Sequence, residues 1–593
     1  MGNIYAQRID AIRSIMKSKG IDAMVITGSD PHNSEYPASR WKQVEWVSGF
    51  TGEAGDLVIT ADHAGLWTDT RYFIQAVQQL AGTGVELHKT RVPEQVLIPE
   101  WLANVKFAEK RGTVVVAVDG LSQPVSSVED IKDAFIGSGR ANAETDDQSD
   151  MFKIVDLPDF MDQLWQDRPA VPSSPIITLG EDTTGESRMA KIVWLRHLLE
   201  ERKCDAILIT ALDEIAWLLN VRGSDIEYNP VVMSYLLVTP EKVDWFVKKP
   251  FGGCDTETRD SFAELQEDGI NILNYDDVSL AFEETEDHVR LLVDPSSLNY
   301  HIFKVLDSVS DHITLVRGTS PIPLRKALKN NVEIEGMKEA HFEDGLAMEK
   351  FLYWLETSMA EGKEINEWDA VCKLNSLRAE IVGYRGNSFE TISAYGPDAA
   401  LPHFVTPSEG SRRLEPHGLY LCDSGGQYLY GTTDITRTVP VYPQGTAGCQ
   451  IDYAARCPLW QFRRNFGHGT GHGVGFFLNV HEGPQEIRQN FNRQPILPGM
   501  INSDEPGIYI EGEYGIRHES LLLCVRDRVN EFGSWLSFET LTLCHIDTSV
   551  IVPSLMTEDE MIWLNAYNAK VYETLAPHLP GEVAEWLERK TRA

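Results

Sequence analysis

An internal repeat limits the folds that this chain can adopt. The segment RIDAIRSIMKSKGIDAMVIT, from Arg8, aligns without gaps on KIVWLRHLLEERKCDAILIT, from Lys191. Each copy has the apolar spacing of an amphipathic helix, then an Asp-Ala step and a short apolar strand. A second apolar strand follows in each copy, DLVIT at Asp56 and SYLLVT at Ser234. The pattern predicts two copies of one α/β domain.

Two stretches of turn-forming residues predict the domain boundaries. They are RPAVPSSPIITLGEDTTGES, residues 168–187, and RGTSPIPLRKALKN, residues 317–330. A chain of 593 residues also exceeds the roughly 250 to 300 residues at which a single core stops growing. We therefore expect three domains, at residues 1–170, 171–322 and 323–593.

The third segment has a different pattern from the repeat. Two helices are expected first, one from the i, i+3, i+4, i+7 spacing of Met348, Phe351, Leu352 and Leu355 and one from NEWDAVCKLNSLRAEI at Asn366. Strands rich in polar residues follow the helices. All candidate ligands lie on these strands.

Charge and composition exclude several classes of partner. The chain has 53 Lys and Arg against 89 Asp and Glu, a formal charge of -36, which repels nucleic-acid phosphates and anionic membranes. Its 8 cysteines contain no CxxC pair, which favours reduced thiols. No segment approaches the roughly 18 apolar residues of a membrane span, and the first residues lack an apolar signal core. We expect a cytoplasmic protein that binds neither nucleic acid nor membrane.

Four acidic residues lie on two predicted hairpins. Asp423 and Asp434 occur in GLYLCDSGGQYLYGTTDITRTV, which has the pattern of two strands around a Gly-Gly turn. Glu505 and Glu519 flank the turn of MINSDEPGIYIEGEYGIRHESLLLCV. Arg517 precedes Glu519 by two residues, so both side chains are expected on one face of the strand. Taken singly, each acid fits an ordinary turn, a solvated strand or a surface ion pair.

Two histidines, His468 and His472, lie four residues apart in GHGTGHGVG. That spacing is typical of helical zinc motifs. Each glycine, however, costs a helix interior about 1 kcal/mol relative to alanine. The segment is therefore predicted to be a tight loop whose backbone approaches a neighbour closely.

The four acids and His472 together form a set that suits a pair of metal ions. Four carboxylate charges balance two divalent cations, and a ligand set dominated by oxygen favours Mn²⁺ over structural zinc. Two cations bridged by carboxylates can hold a hydroxide nucleophile at neutral pH. The sequence therefore predicts a hydrolytic dinuclear centre.

Five motifs, in order, resemble a known enzyme family. They are EYPASRWKQVEWVSGFTG, NSFETISAYGPDAALPHF, CDSGGQYLYGTTDITRT, HGTGHGVGFFLNVHEGP and SDEPGIYIEGEYGIRHE. Together they are similar to the Xaa-Pro aminopeptidases (aminopeptidase P), in their long three-domain cytosolic form. The resemblance implies a multidomain α/β and α+β fold, with two creatinase-like N-terminal α/β domains before a C-terminal pita-bread metallopeptidase domain.

The resemblance also implies roles for particular residues. Ligands to two divalent ions, Mn²⁺ first with Zn²⁺ or Co²⁺ as alternatives, fall at Asp423, Asp434, His472, Glu505 and Glu519. Asp434 and Glu519 would bridge the ions. The substrate side would be formed by His403 in ALPHF, His468, and His481 in NVHEGP. His403 and His481 would act on the scissile carbonyl, His468 would line the proline side of the cleft, and Arg517 would fix a ligand carboxylate.

The implied reaction is hydrolysis of the bond between an N-terminal residue and a following proline. The nitrogen of that bond carries no hydrogen, so an enzyme cannot hold it by a backbone N–H. Glu505 would accept the proton of the attacking hydroxide and return it to the departing proline nitrogen. The implied partners are peptides with proline at the second position, and the implied assembly is a homodimer.

Two alternatives remain open at this point. One is a prolidase, which cleaves Xaa-Pro dipeptides. The other is a peptide-binding protein of the same fold without catalytic activity. The duplicated N-terminal domains argue against the first alternative, and the complete set of five ligands argues against the second.

One departure from the family pattern concerns the segment before the histidine loop. Asp434 and His472 lie so close together in the sequence that there is no room for the long helix that usually follows DITRT. A helix with its connections, on the order of 20 to 30 residues, has no counterpart between Thr438 and Gln444. Three explanations stay open: an internal deletion, a sequence assembled without a disordered segment, and a rearrangement in which another element covers the gap. The loss of this helix is expected to expose apolar surface of the sheet, which costs roughly 25 cal/mol of folding free energy per Å² exposed.

Overall fold

The computed structural model describes residues 3–110, 112–139, 151–248, 255–282, 288–415, 419–435, 442–443, 445–531 and 533–592. They form two compact units. The first comprises Met1–Leu179 and Glu186–Ile322, and the second comprises Gly180–Gly185 and Pro323–Ala593. Within the described residues, no helix is both long and apolar enough to cross a membrane.

Helices occur in both units. In chain order they are α1 (Ile4–Lys19), α2 (Gln43–Ser48), α3 (Phe73–Gln79), α4 (Ile98–Glu100), α5 (Val125–Gly137), α6 (Glu181–Thr184), α7 (Arg188–Glu201), α8 (Leu212–Leu219), α9 (Thr256–Glu267), α10 (Tyr300–Ser308), α11 (Ile322–Ala327), α12 (Asn331–Ala360), α13 (Glu367–Arg378), α14 (Gly448–Gln461), α15 (Glu558–Leu575) and α16 (Gly581–Thr591).

The first unit contains two six-stranded sheets. Their strands, with the short pair β7 and β9, are β1 (Ala23–Ile26), β2 (Asp56–Thr60), β3 (Ala64–Thr68), β4 (Glu86–Lys89), β5 (Val114–Val118), β6 (Phe152–Asp156), β7 (Ile177–Thr178), β8 (Ala206–Ile209), β9 (Val221–Arg222), β10 (Ser234–Val238), β11 (Val243–Val247), β12 (Ile270–Asn274), β13 (Val289–Val293) and β14 (Ile313–Arg317).

The two sheets have the same topology. Their strand orders are β4-β3-β2-β1-β5-β6 and β12-β11-β10-β8-β13-β14. In each sheet one strand, β2 or β10, runs antiparallel to both neighbours, and the other pairs are parallel. Strands β1 and β8 begin at Ala23 and Ala206, which are equivalent positions of the sequence repeat. The predicted duplication of one α/β domain is confirmed.

The two copies contact each other with two-fold symmetry. Their closest contact joins the segments that lead into α5 and α10, with Pro124 opposite Asn299 at its centre. Each backbone hydrogen bond across it has a counterpart in which the two copies exchange the roles of donor and acceptor. The bonds run from Val125 N to Leu298 O (2.9 Å), Tyr300 N to Gln123 O (2.8 Å), Ser126 N to Pro295 O (3.0 Å) and His301 N to Gly120 O (2.9 Å).

A buried histidine of the first copy contacts the carboxyl ends of two strands in the second. His32 Nδ1 lies 2.8 Å from the Thr210 carbonyl oxygen, just after β8, and Nε2 lies 2.9 Å from the Tyr275 hydroxyl, just after β12. Burial lowers the pKa of His32. The contact therefore joins the two copies through a neutral imidazole.

The second unit contains the remaining strands. They are β15 (Tyr384–Asn387), β16 (Ile392–Tyr395), β17 (Tyr420–Asp423), β18 (Gly426–Tyr428), β19 (Gly431–Thr432), β20 (Tyr442–Pro443), β21 (Gly471–Gly473), β22 (Glu482–Ile487), β23 (Ile501–Asp504), β24 (Gly507–Ile510), β25 (Tyr514–Arg517), β26 (Ser520–Asn530) and β27 (Gly533–Thr540). Its largest sheet has the order β20-β27-β26-β23-β21-β22.

The two predicted helices before the first strands are present as α12 and α13. Each begins with a capping box, Asn330 with Glu333 and Asn366 with Asp369, which satisfies backbone N–H groups at the helix start. Phe351 is fully buried on the inner face of α12. The mixed α/β fold of the chain is thereby confirmed.

Two local predictions were wrong. Strand β17 does not pair with β18 around the Gly-Gly turn; it pairs with β16, and the hairpin is β18–β19. A Cβ at Gly425 would lie 2.0 Å from the Thr433 carbonyl oxygen. Glycine at this position therefore lets the backbone at residue 425 pack closely against the backbone at Thr433. Similarly, Gly471–Gly473 is a short central strand and not a loop.

Among the described residues between Asp434 and His472, α14 is the one helix. Its Ile451 packs against the six-stranded sheet in a buried apolar cluster. Its opposite side leaves Tyr453 56% and Trp460 42% exposed. The predicted deletion between Thr438 and Gln444 lies outside the described residues, apart from β20.

A buried charge cluster fixes the start of β22. Glu482 accepts hydrogen bonds from the ammonium groups of Lys326 and Lys329, and the Lys329 ammonium also donates to the Lys326 carbonyl oxygen at 3.1 Å. All three side chains are at most 2% exposed. Removing the one carboxylate would leave two buried ammonium groups without compensation.

We expect Glu482→Gln to lower the free energy of unfolding by about 3–5 kcal/mol, because two buried ammonium groups lose their carboxylate. Urea denaturation would measure the change. The matched control is Glu486→Gln, which removes a partly exposed partner of Arg488 and is expected to cost less than about 1 kcal/mol. Equal stability of the two variants would contradict the prediction.

Candidate metal centre

Five predicted ligands come from five different strands or strand ends. Asp423 ends β17, Asp434 follows β19, and His472 is the middle residue of β21. Glu505 follows β23, and Glu519 immediately precedes β26. The site therefore forms only when the whole second unit is folded.

Glu505 and Glu519 face each other because two hairpins are nested. The outer pair ends at Asp504 opposite Ser520, and the inner pair begins at Gly507 opposite Arg517. The two glutamates occupy the junction between the inner and outer hairpins. This is the second of the two predicted hairpins.

The ligand atoms converge on a small volume. Single ligand atoms of Asp434, His472 and Glu519 all lie within 4.8 Å of one another. His472 Nε2 lies 3.5 Å from Glu505 Oε1 and 3.8 Å from Asp434 Oδ2. Asp423 is close enough for its charge to act on Asp434. All five predicted ligands thus surround one space.

The electrostatics of this space favour a cation. Burial raises the pKa of Asp434 well above its usual range, and the charges of Glu519, Asp423 and Glu505 raise it further. Burial and Glu519 likewise raise the pKa of Glu505. Asp423 Oδ1 and Asp434 Oδ1 are buried and find no hydrogen-bond donor in the described part of the chain. These residues fit a pair of divalent ions, which would neutralise the carboxylates and occupy their open oxygens.

The glycines around His472 set the orientation of its ring. A Cβ at Gly471 would lie 1.9 Å from the Ser503 carbonyl oxygen, so only glycine allows β21 to pack this closely on β23. His472 Nδ1 lies 2.8 Å from the Gly473 carbonyl oxygen. Since that bond uses Nδ1 as a donor, Nε2 is the nitrogen directed at the carboxylates.

Arg517 contacts the predicted ligand Asp423, and not Glu519, the predicted ligand two residues further along the chain. Its guanidinium donates to Asp423 Oδ2 through Nη2 and to the Tyr509 hydroxyl through Nη1, the latter at 2.8 Å. The side chain is 3% exposed. The structure thus places Arg517 against a predicted ligand carboxylate, although that carboxylate is Asp423 and not Glu519.

Sequence reasoning missed Tyr509. Its hydroxyl lies 2.7 Å from His468 Nε2 and accepts from Arg517, so it connects the histidine loop to the ligand Asp423. Burial raises the pKa of Tyr509 to about 12, so the hydroxyl stays protonated. A tyrosine on a hairpin strand has no sequence signal that separates this role from packing.

Two of the three predicted substrate-side histidines, His481 and His468, lie near the ligands, and the third, His403, lies close enough to His468 for its charge to act on it. The His481 ring is 4.4 Å from the His472 ring, at 86°. His468 Nδ1 lies 3.8 Å from Glu505 Oε2. Burial lowers the pKa of His468 well below its usual value, and the charges of Arg517 and His403 lower it further. His468 is therefore neutral at neutral pH.

Two residues of α14, also missed, hold the segment 466–470 in place. Arg456 donates to the backbone carbonyls of Phe466 at 2.8 Å and His468 at 2.7 Å. Asp452 accepts from the Thr470 hydroxyl at 2.6 Å and from Arg456 at 2.7 Å. Their i, i+4 spacing on one helix face was the available signal.

The comparisons with known proteins divide the chain as follows. The Creatinase/Prolidase N-terminal domain matches residues 8–156, and a second model of the same description matches residues 167–333. Metallopeptidase family M24 matches residues 335–445 and 441–526, and the C-terminal region of peptidase_M24 matches residues 534–593.

Curated relatives match over almost the whole chain. A probable Xaa-Pro aminopeptidase P of Laccaria bicolor is 36% identical, covering 98% of this chain and 93% of the relative. Aminopeptidase P1 of Arabidopsis thaliana is 34% identical, covering 98% of both chains. The first alignment is longer than this chain, so part of the relative has no counterpart here.

A solved structure matches equally well. It is the X-prolyl aminopeptidase from Caenorhabditis elegans, described as a cytosolic enzyme with a di-nuclear active site. The two chains are 31% identical, each is 99% covered, and the TM-score is 0.89. The chain belongs to the Xaa-Pro aminopeptidase P family of M24 metallopeptidases.

Proposed function

We propose that the chain is a dinuclear-metal aminopeptidase that hydrolyses the bond between an N-terminal residue and a following proline. The observation that supports this most strongly is the convergence of one imidazole and four carboxylates on a buried space. Such a cluster is unstable without cations, and its oxygen-rich composition suits a hydrolytic pair of metals.

The residues that would hold the ions are Asp423, Asp434, His472, Glu505 and Glu519. Asp434 and Glu519 are proposed to be shared between the two ions, and their ligand atoms lie within 4.8 Å of each other and of His472. Bound there, two divalent cations would lower the pKa of water and polarise the scissile carbonyl. We propose Mn²⁺ as the metal, since four of the five ligands offer oxygen.

Glu505 is proposed to carry the proton. Its carboxylate lies beside the space in which the ions would bind, with Oε1 3.5 Å from His472 Nε2, so it is placed to take a proton from the attacking water and then release it. The acceptor is the proline nitrogen, which becomes a secondary amine when the C–N bond breaks. The number of protons on Glu505 is unchanged at the end of a cycle.

The histidines are proposed to position the substrate. His481, which stacks edge-on against His472, and His403 would donate hydrogen bonds to the scissile carbonyl as it gains negative charge. His468 is neutral and bonded to Tyr509, so it would line the proline side without adding charge. The acidic cluster would hold the free amino terminus, which explains removal of a single residue.

The chain is further proposed to act in the cytoplasm as a homodimer. The Caenorhabditis elegans relative is described as a cytosolic enzyme, and the formal charge of -36 favours a soluble peptide substrate over a nucleic acid or an anionic membrane. Sedimentation equilibrium of the purified chain would test the assembly.

Substrate choice tests the proposed specificity. We expect hydrolysis of Xaa-Pro-Yaa peptides after loading with Mn²⁺, little hydrolysis of Xaa-Ala-Yaa peptides, and loss of turnover after treatment with a chelator. Release of the first amino acid, measured by chromatography, gives the rates. Cleavage confined to Xaa-Pro dipeptides would favour a prolidase, and stoichiometric metal without turnover would favour a binding protein.

Loss of one bridging carboxylate should remove both metal and activity. We expect Glu519→Gln to lower kcat/KM by more than about 100-fold, the upper range for losing an outer-shell partner of a metal ligand. Metal analysis after gel filtration should show fewer than two ions per chain. The matched control is Glu511→Gln, in the exposed turn of the inner hairpin, and retained metal in Glu519→Gln would exclude the proposed ligand role.

Tyr509→Phe tests the residue that sequence reasoning missed. The substitution removes a hydroxyl that serves both His468 and Arg517, and a hydrogen bond to a charged group contributes about 1.5–3 kcal/mol. We expect kcat/KM to fall about 10- to 100-fold while the metal content stays unchanged. Tyr514→Phe, on the facing strand, is the control, and equal rates for the two variants would contradict a positioning role for Tyr509.

A further inference from the structure

A second cluster of metal-ligating side chains lies in the first unit, on the sheet of the first domain copy. It consists of His63, before β3, and Glu86 and His88 on β4. Ligand atoms of the three residues lie within 4.8 Å of one another. None of them takes part in the proposed peptidase reaction.

The sheet register explains why these side chains meet. Strands β3 and β4 are parallel, with Gly65 beside Glu86 and Trp67 beside His88. Because side chains alternate between faces, His63 shares the face of Gly65 and Trp67, as Glu86 and His88 do on the neighbouring strand. The three ligands therefore point to the same side of the sheet.

Gly65 provides the space in which the two imidazoles approach. A Cβ at this position would lie 2.6 Å from His63 Nε2 and 2.8 Å from His88 Cδ2. With glycine there, the two Nε2 atoms are 3.1 Å apart. Two nitrogens bound to one tetrahedral Zn²⁺ at 2.0–2.1 Å are separated by about 3.3 Å, so little movement would be needed to admit an ion.

Aromatic walls hold both rings in position. The His88 ring stacks on Trp67 at 3.8 Å and 6°, and the His63 ring lies 4.8 Å from Trp101. Trp67 is fixed in turn, because its indole N–H donates to the Val96 carbonyl oxygen at 2.9 Å. The ligand rings are thus preorganised by packing.

We propose that His63, His88 and Glu86 form a third metal site, selective for a borderline divalent cation such as Zn²⁺. Two imidazoles and one carboxylate, with a fourth position left to water, are a typical zinc set. Glu86 is 69% exposed and offers a carboxylate oxygen within 4.8 Å of a ligand atom of each histidine, so it closes the site from the solvent side. The ion would fasten the β2–β3 hairpin to β4, the edge strand of this sheet.

Counting the metal ions tests the proposal. Full-length chain loaded with Mn²⁺ is dialysed against Zn²⁺, and total Mn and Zn per chain are measured by mass spectrometry. We expect the wild-type chain to hold one ion more than His88→Gln and one more than Gly65→Ala. The second variant keeps all three ligands, and its Cβ takes the space between the two imidazoles and the Trp67 ring.

Controls separate this site from the metal centre of the second unit. His288→Gln, in the same unit and bonded to Thr314, should keep the additional ion. Peptidase activity should be unchanged in His88→Gln and Gly65→Ala, because these residues lie outside the proposed catalytic machinery. Equal ion counts in wild-type and both variants would overturn the proposal, whether or not the chain is an active peptidase.

Tryptophan fluorescence gives an independent readout. Cu²⁺ bound at this site would lie beside Trp67 and Trp101 and quench their emission. We expect one quenching phase in the wild-type chain that is missing in both His88→Gln and Gly65→Ala, with melting temperatures showing that both variants are folded. Identical quenching in all three proteins would show that the pair is only a hydrogen bond between neutral imidazoles.

Discussion

Repulsion between buried carboxylates is the constraint on which the second unit depends. Two like charges 4 Å apart repel by about 4 kcal/mol at an effective dielectric constant of 20, and Asp434 experiences the charges of Glu519, Asp423 and Glu505. The fold holds these groups together although they repel each other. It draws each from a different strand, so no single local rearrangement can separate them. The binding of two cations would turn this repulsion into attraction.

Buried arginines hold the ligand segments against that repulsion. Arg378 on α13 donates to Asp344 at 2.8 Å, to Ser424 Oγ at 3.1 Å and to the Gly425 carbonyl oxygen at 3.3 Å, next to Asp423. Arg456 on α14 donates to the Phe466 and His468 carbonyls, in the segment that leads to His472. Each helix therefore acts on the site through residues of the ligand segments that are not ligands themselves, and Arg517 acts on a ligand carboxylate directly.

Sequence patterns predict those parts of this structure that are determined by residues close together in the sequence. The repeated helix and strand, the capped helices α12 and α13, and the hairpin that carries Glu505 and Glu519 all follow from local spacing. The partner of β17, the strand at Gly471–Gly473 and the role of Tyr509 depend on contacts between distant segments, which spacing does not encode. The five ligands were found through their motifs, while their ligand roles and the domain limits at residues 170 and 322 stay predictions.

The two-fold contact between the domain copies has a consequence for assembly. In a symmetric homodimer, the same surface of each subunit forms the interface, so every contact occurs twice with the two subunits exchanged. The contact between the two domain copies has this geometry. Here both partners belong to one chain, with Pro124 opposite Asn299. The contact therefore forms at an effective concentration set by the connecting segment. Because both copies belong to one chain, dilution cannot separate them. The contact between the two domain copies is therefore independent of the protein concentration.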